Sequence, residues 1–152
     1  MLVLLALLSS SPAQAAGFGS SVGISTNGVG SFMPSFDVRT KPLVLQFHVL
    51  EFLDALEDGD VFIGVNGYGT VHDADLGGPW VGEVQPGVGL DVFTAGDDLA
   101  LNITAEARLG AALCNDNGGL GIYVVPMLGV TTLGEDPLLI GGGLQISSWF
   151  GN

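Results

Sequence analysis

Hydrophobic and polar residues alternate with a period of two along most of the chain after residue 16. In residues 99–113 every odd position is Leu, Ile or Ala, whereas the even positions include Asn102, Glu106 and Arg108. Such alternation is typical of β-strands that have one apolar and one polar face. A helix would instead repeat apolar residues every three or four positions. The sequence therefore predicts an all-β protein.

The same alternation, strong in some segments and weak in others, predicts about eight strands separated by Gly, Asn, Asp and Pro residues that favour turns. The strands cover residues 18–26, 32–38, 43–52, 61–71, 80–92, 99–113, 121–131 and 139–150. Each strand with its turn has about 17 residues, which is enough for a tilted strand that crosses a membrane.

Residues 43–57 allow two interpretations. Leu45, Val49 and Phe52 recur at helical spacing, which indicates an amphipathic helix. Residues 43–49 also alternate as a strand would. We favour a strand to about Val49 followed by a short turn of helix. If the whole segment were helical, seven strands would remain.

The first sixteen residues have the features of a secretory signal peptide. Residues 2–8 are an apolar run too short to span a bilayer, and Pro12 and several alanines follow it. No basic residue precedes this run, and a buried N-terminal strand or helix is the alternative. We expect cleavage after Ala15 or Ala16, which exports residues 17–152 as one domain.

Composition and charge exclude several classes of protein. Of the 152 residues, 47% are hydrophobic, 12% are charged and 25 are glycine. Three basic residues against sixteen acidic ones give a net charge of -13, which excludes binding to nucleic acid because phosphates require clustered Lys and Arg. A single cysteine, Cys114, excludes a disulfide framework and a cysteine-based metal site.

The polar faces of the predicted strands carry little charge and are rich in Gly, Ser, Asn, Gln and Thr. Eleven of the sixteen acidic residues, Asp73 among them, lie in or beside predicted turns. Long apolar faces opposite such polar faces are expected when the apolar side meets lipid and the polar side lines an interior. Unpaired strand edges are costly in lipid, so the sheet must close. The pattern predicts a closed, antiparallel, up-and-down transmembrane β-barrel.

The chain resembles eight-stranded outer-membrane barrels of the OmpA/OmpX type. The resemblance rests on the signal peptide, on the alternation in residues 32–38, 61–71, 80–92 and 99–113, and on the aromatic closing strand 144–150. It departs from such barrels in having Gly151 and Asn152 after the last aromatic residue. The resemblance implies a monomer in the outer membrane, whose partners are membrane lipids and the outer-membrane assembly machinery.

Eight polar side chains are predicted to line the lumen. They are Asp37, Arg39, Glu83, Gln85, Asp91, Asn102, Glu106 and Arg108. Charged residues two apart on one strand project to the same side, so they could form a charge gate or a proton pathway. The interior of an eight-stranded barrel is just wide enough to be filled by side chains, so we expect them to pack and stabilise the barrel.

Catalytic and metal-binding patterns are weak. Ser35, His72 and Asp91, all predicted on the polar inner faces of their strands, could supply a catalytic triad, but no nucleophile motif surrounds them. Residues 54–60 fail as a calcium loop because required ligand positions are apolar. We therefore predict that the protein is not an enzyme and has no cofactor or metal. Aromatic residues near strand ends predict an interfacial girdle of Phe32, Trp80, Phe93, Trp149 and Phe150.

Three functions remain open at this point. The first is an outer-membrane barrel with a structural or interaction role, or with a very narrow pore. The second is a soluble exported barrel that binds a small apolar ligand, in which the apolar faces would point inward. The third is a lipid-modifying barrel enzyme.

Overall fold

A computed structural model describes residues 14–25, 30–40, 42–48, 62–95, 98–132 and 136–151. Nine strands make up most of this part: β1 Gln14–Ser25, β2 Gly30–Thr40, β3 Leu43–His48, β4 Phe62–Gly69, β5 His72–Gly77, β6 Trp80–Ala95, β7 Asp98–Asn115, β8 Gly118–Thr131 and β9 Leu138–Phe150. No helix among these residues is long and apolar enough to span a bilayer. The predicted all-β class is confirmed.

The strands form a closed ring. Each pairs antiparallel with its neighbour, and β1 also pairs with β9, which closes the sheet. β4 and β5 both pair with β6 and share one place in the ring, so the nine strands fill eight places. The predicted up-and-down barrel is confirmed.

The register fixes the tilt of the strands. A row of paired residues runs once around the ring and returns to β1 ten residues further along: Ala15, Arg39, Val44, Tyr68, Gly87, Glu106, Met127, Gly141 and Ser25. Eight strands with this stagger tilt by about 43° from the barrel axis. Each residue then advances about 2.4 Å along the axis.

Apolar residues face outward and polar residues face inward. In β7, Leu99, Ile103 and Leu109 are exposed on the outer wall, whereas Thr104 and Arg108 are buried inside the ring. The same separation runs along β8 and β9. The polarity is therefore the one predicted for a membrane barrel, and it is the reverse of a barrel with an apolar ligand cavity.

The two ends of the barrel differ. At one end, which we call the turn end, two residues separate β2 from β3, β5 from β6, and β7 from β8. Gly77 and Gly78 there have positive φ values of 99° and 64°, which glycine adopts readily in a tight turn. At the other end, the loop end, the longest connection runs from β3 to β4 over residues 49–61.

The structure describes only part of two segments named above. The strand predicted from residue 43 is confirmed as far as His48, and the turn of helix predicted after Val49 lies outside the described residues. Residues 1–13 of the predicted signal peptide also lie outside them. β1 begins at Gln14, so the predicted cleavage would remove its first residues.

A β-bulge separates β4 from β5. Val71 donates a backbone hydrogen bond to the carbonyl of Val84 (3.1 Å), and His72 pairs with the same Val84. Two residues thus oppose one, and the alternation shifts by one position. His72 consequently lies exposed on the outer face, and its prediction on a polar inner face is wrong. Asp73, predicted in a turn, lies within β5.

Candidate functional site in the barrel interior

The eight side chains predicted for the lumen all lie on the inner faces of β2, β6 and β7. They are Asp37, Arg39, Glu83, Gln85, Asp91, Asn102, Glu106 and Arg108. Asp91 and Asn102 oppose each other nearer the loop end. The other six lie closer to the turn end, and the carboxylates among them are held in three hydrogen-bond networks.

The first network surrounds Asp37 in β2. One carboxylate oxygen accepts hydrogen bonds from Ser35 Oγ (3.0 Å) and from Gln46 Nε2 in β3 (3.0 Å). The other oxygen accepts from Ser147 Oγ in β9 (2.7 Å). Three donors from three strands satisfy this buried carboxylate, which links β9, β2 and β3 across the interior.

The second network joins Arg39 to Glu83. The Arg39 guanidinium lies 3.5 Å from the centre of the Trp149 ring and donates to Ser147 Oγ (3.2 Å) and to the Tyr123 hydroxyl (3.3 Å). Tyr123 in turn donates to Glu83, and Arg39 Nη1 lies 3.9 Å from the same carboxylate. The guanidinium therefore has a cation–π partner and a carboxylate partner.

The third network surrounds Glu106 in β7. One carboxylate oxygen accepts from the Tyr68 hydroxyl and from Asn66 Nδ2 (3.2 Å). The other accepts from Thr104 Oγ1 (2.6 Å). Tyr68 and Glu106 reach each other across β6 because Gly87, between them in the same row, has no side chain. A Cβ at Gly87 would overlap the Tyr68 ring.

Arg108 occupies the middle of the interior, between two tyrosine rings. It is 0% exposed and lies between the rings of Tyr123, at 4.1 Å, and Tyr68, at 5.1 Å. None of its three side-chain nitrogens has a hydrogen-bond partner among the described residues. The two cation–π contacts offset only part of the cost of burying a charge, which is several kcal/mol for an ion without full compensation.

A fully buried layer closes the lumen at the level of Arg108. Each of its large side chains is less than 2% exposed, and together they come from seven of the eight places in the ring: Asp37, Gln46, Tyr68, Gln85, Arg108, Tyr123, Gln145 and Ser147. In the remaining strand, β1, a Cβ at Gly19 would lie 2.6 Å from Ser35 Oγ. Side chains this closely packed fill the interior of the barrel at this level.

Sequence reasoning missed the aromatic residues of this site. Trp149, predicted for the outer girdle, is 8% exposed inside the barrel. Trp149 is at an odd position, whereas Ile146 and Phe150 on the outer wall are at even positions, so the period of two already indicated an inward side chain. Whether a side chain faces inward or outward is indicated better by this alternation than by nearness to a strand end. Trp80, by contrast, is 44% exposed on the outer face.

The catalytic set considered from the sequence does not assemble. Ser35 is buried in the Asp37 network, His72 is exposed on the outer wall, and Asp91 lies inside, nearer the loop end. His48 is buried in β3, and within the part of the chain that the structure describes its Nδ1 has no hydrogen-bond partner. Within the described ranges no three His, Cys, Asp or Glu side chains come together as metal ligands. Residues 54–60 lie outside those ranges.

Comparisons with known proteins support the fold. No protein-family model matches the sequence, and no curated protein matches it either. The structure is similar to the crystal structure of Neisserial surface protein A (NspA), with a TM-score of 0.56 and 12% sequence identity. The match covers 91% of this chain and 95% of NspA. At this low identity, the similarity shows a shared fold.

Proposed function

We propose that this chain is an exported outer-membrane protein, a monomeric barrel with a sealed lumen and a structural or interaction role. The observation that carries the proposal is the reversed polarity of the barrel, with an apolar outer wall around a polar interior. A water-soluble barrel that binds an apolar ligand requires the opposite polarity. The similarity to a protein named for its place at a cell surface agrees with the proposal.

The outer wall has more apolar surface than a soluble protein tolerates. Twenty-one large apolar side chains of the described residues are exposed, most of them by about half. Full burial of one such side chain contributes about 1.5–3 kcal/mol. Transfer of this wall into hydrocarbon would therefore contribute on the order of 20 kcal/mol, which exceeds the typical 5–15 kcal/mol stability of a whole domain.

The height of the apolar wall matches a membrane. In β8 the outward residues from Leu120 to Val130 are all apolar: Leu120, Ile122, Val124, Pro126, Leu128 and Val130. Ten residue steps at the strand tilt cover about 24 Å along the barrel axis. The apolar band of outer-membrane barrels is about 25 Å tall. Short turns at one end and a longer connection at the other also agree with the periplasmic and extracellular sides of such barrels.

A single chain suffices for insertion because the ring closes on itself. No strand edge of the ring then needs a second subunit to satisfy its backbone in lipid. Membrane lipids are therefore the partners of the outer wall, and the outer-membrane assembly machinery is the partner during insertion. The signal peptide predicted in residues 1–16 supplies the route of export.

The buried layer around Arg108 favours a sealed barrel over a narrow pore. Its networks satisfy the interior carboxylates and link most strands of the ring, which is a structural role. Purified protein reconstituted in planar bilayers should show no conductance. Replacing two side chains of the layer, as Arg108→Ser with Tyr123→Ser, should open a path and produce channel currents. Currents from the wild-type protein would contradict the sealed lumen.

Membrane location is tested by expressing the full chain in a Gram-negative host. The protein should remain in the outer-membrane fraction after a carbonate wash. It should also migrate differently on an SDS gel before and after boiling, because a closed ring unfolds as a unit. Recovery in the soluble periplasmic fraction, with no effect of boiling, would contradict the proposal.

A further inference from the structure

The hairpin of β5 and β6 extends past the end of β3 at the turn end. β3 pairs with β4 as far as Leu43 opposite Gly69, and Thr70 then donates a hydrogen bond to the carbonyl of Pro42 (2.7 Å). Beyond this point the chain continues as β5, which within the described residues pairs with β6 alone. We call the side of β5 that faces away from β6 the β5 edge.

The bulge at Val71 determines which backbone groups the β5 edge presents. Val71 and His72 both oppose Val84. Backbone amides along a strand point alternately to its two sides, so from His72 onward the amides of His72 and Ala74 point toward β6. The amides of Asp73 and Asp75 then point toward the β5 edge. A strand edge with such groups is a template for a further strand.

The chemistry of the β5 edge places it outside the hydrocarbon core. All residues of β5 are exposed except Ala74, which is half-buried. An open edge and two aspartates are incompatible with the hydrocarbon core, where each unsatisfied backbone group costs several kcal/mol. β5 therefore extends beyond the apolar belt at the turn end and is accessible to a protein in the aqueous phase.

The two faces beside the β5 edge have different chemistry. Asp73 and Asp75 share one face with Glu83 of β6, and Asp73 pairs directly with Glu83. Glu83 is already paired with Arg39 and accepts a hydrogen bond from Tyr123, so the charges that a partner's cations would meet on this face are those of Asp73 and Asp75. The other face is apolar: Leu76 packs 3.5 Å from the position of a Cβ at Gly82, and Trp80 is exposed on the same side.

We propose that the β5 edge binds an extended segment of another protein in which Lys or Arg alternates with apolar residues. Such a segment would pair with the backbone of β5, place its cations beside Asp73 and Asp75, and lay its apolar residues along Leu76. Charge complementarity selects this occupant. A second copy of the chain would bring its own β5 aspartates against these two.

The chain itself has no segment with this chemistry. Its three basic residues are Arg39 and Arg108, both inside the barrel, and Lys41, which lies outside the described residues. Residues 1–13 contain no basic residue. None of residues 1–152 therefore supplies the segment, and the proposal assigns it to a different polypeptide on the turn side of the membrane.

The test uses the full-length barrel in a micelle of uncharged detergent and a labelled six-residue peptide in which Lys and Val alternate. Binding is followed by fluorescence anisotropy at low salt. Backbone hydrogen exchange is measured in parallel, and the amides of Asp73 and Asp75 should gain protection when the peptide is present. A peptide in which Glu replaces each Lys should not bind.

Variants of β5 test separately how much the aspartate charges and the backbone amides contribute to peptide binding. Asp73→Asn together with Asp75→Asn should weaken peptide binding at least fivefold, because both cation partners are lost. Asp73→Pro should also weaken it, because proline removes an edge amide that β6 does not use. Asp116→Asn, which neutralises an exposed acid in another turn at the same end, should leave binding unchanged. A heat-dependent shift on SDS gels confirms that each variant is folded.

The direction in which the Asp→Asn substitutions change peptide binding distinguishes the proposal from another role of these acids. Charged residues on an open edge also serve to prevent pairing with other strands. In that role, neutralising Asp73 and Asp75 would strengthen peptide binding. Stronger or unchanged binding by the double variant, or failure of the Lys–Val peptide to bind folded wild-type protein, would overturn the proposal.

Discussion

Arginine at two depths of the same outer wall should have very different costs. Val124 and Val130 lie in β8, both face outward, and their exposures are 55% and 52%. Val124 pairs with Leu109 and Leu144, and Val130 pairs with Ile103 and Leu138. The two valines therefore have similar neighbours and differ mainly in height.

The structure gives that difference in height. Along β8 the apolar wall runs from Leu120 to Val130, and its middle lies at residue 125. Val124 is about 2 Å from this middle and Val130 about 12 Å from it, at about 2.4 Å per residue along the axis. Arginine costs about 2–4 kcal/mol at the midplane of a bilayer and about 0–1 kcal/mol near its interfaces.

The comparison is made by folding each variant into lipid vesicles and titrating with denaturant, with tryptophan fluorescence as the readout. Val124→Arg should lower the free energy of unfolding by about 2–4 kcal/mol, and Val130→Arg by at most about 1 kcal/mol. Val124→Gln is a control that adds a polar side chain of moderate length without charge, and it should fall between them.

Equal costs for the two arginines would refute this reasoning. In a water-soluble barrel both positions would be solvent-exposed surface, where a substitution usually changes stability by less than about 0.5 kcal/mol. A larger cost at Val130 than at Val124 would place the membrane at a different height on the barrel.

Three further predictions concern the interior and the tryptophans. Gly121→Val should destabilise the barrel by about 1–3 kcal/mol in denaturant titration, because an interior tyrosine ring covers that glycine, whereas Gly69→Ala enters open space and should change little. Arg108→Met should raise the free energy of unfolding by about 1–3 kcal/mol, because it removes a buried charge without hydrogen bonds. A loss of stability would show that the cation–π contacts outweigh the cost of burial. In single-tryptophan variants, acrylamide in the aqueous phase should quench Trp80 strongly and Trp149 weakly, and equal quenching would contradict the buried position of Trp149.

The alternation predicted the barrel well because each face of a membrane strand meets one uniform environment. Along β7, lipid selects every outward residue and the interior selects every inward one, so Leu99 to Leu113 carry the pattern without interruption. The strand from Leu43 was harder to assign because helical spacing overlaps with its alternation. Its first six residues are a strand that pairs with both neighbours.

The alternation failed where the backbone departs from a regular strand. The bulge at Val71 shifts the phase by one residue, so His72 faces outward and β5 shows no periodic signal. Partners inside the barrel could not be predicted either, because they depend on the stagger between strands. Tyr68 reaches Glu106 only because the register places both in one row with Gly87.

The outward orientation of the apolar wall is tested most directly by spin labels placed one at a time at residues 120–130 of β8. Cys114 is first replaced by Ser, and the protein is reconstituted in lipid bilayers. Labels at Ile122, Val124 and Leu128 should collide frequently with oxygen, which concentrates in lipid, and rarely with a water-soluble nickel reagent. Labels at inward positions such as Tyr123 should collide rarely with both. Frequent collisions of the outward labels with the nickel reagent would contradict a lipid-facing wall.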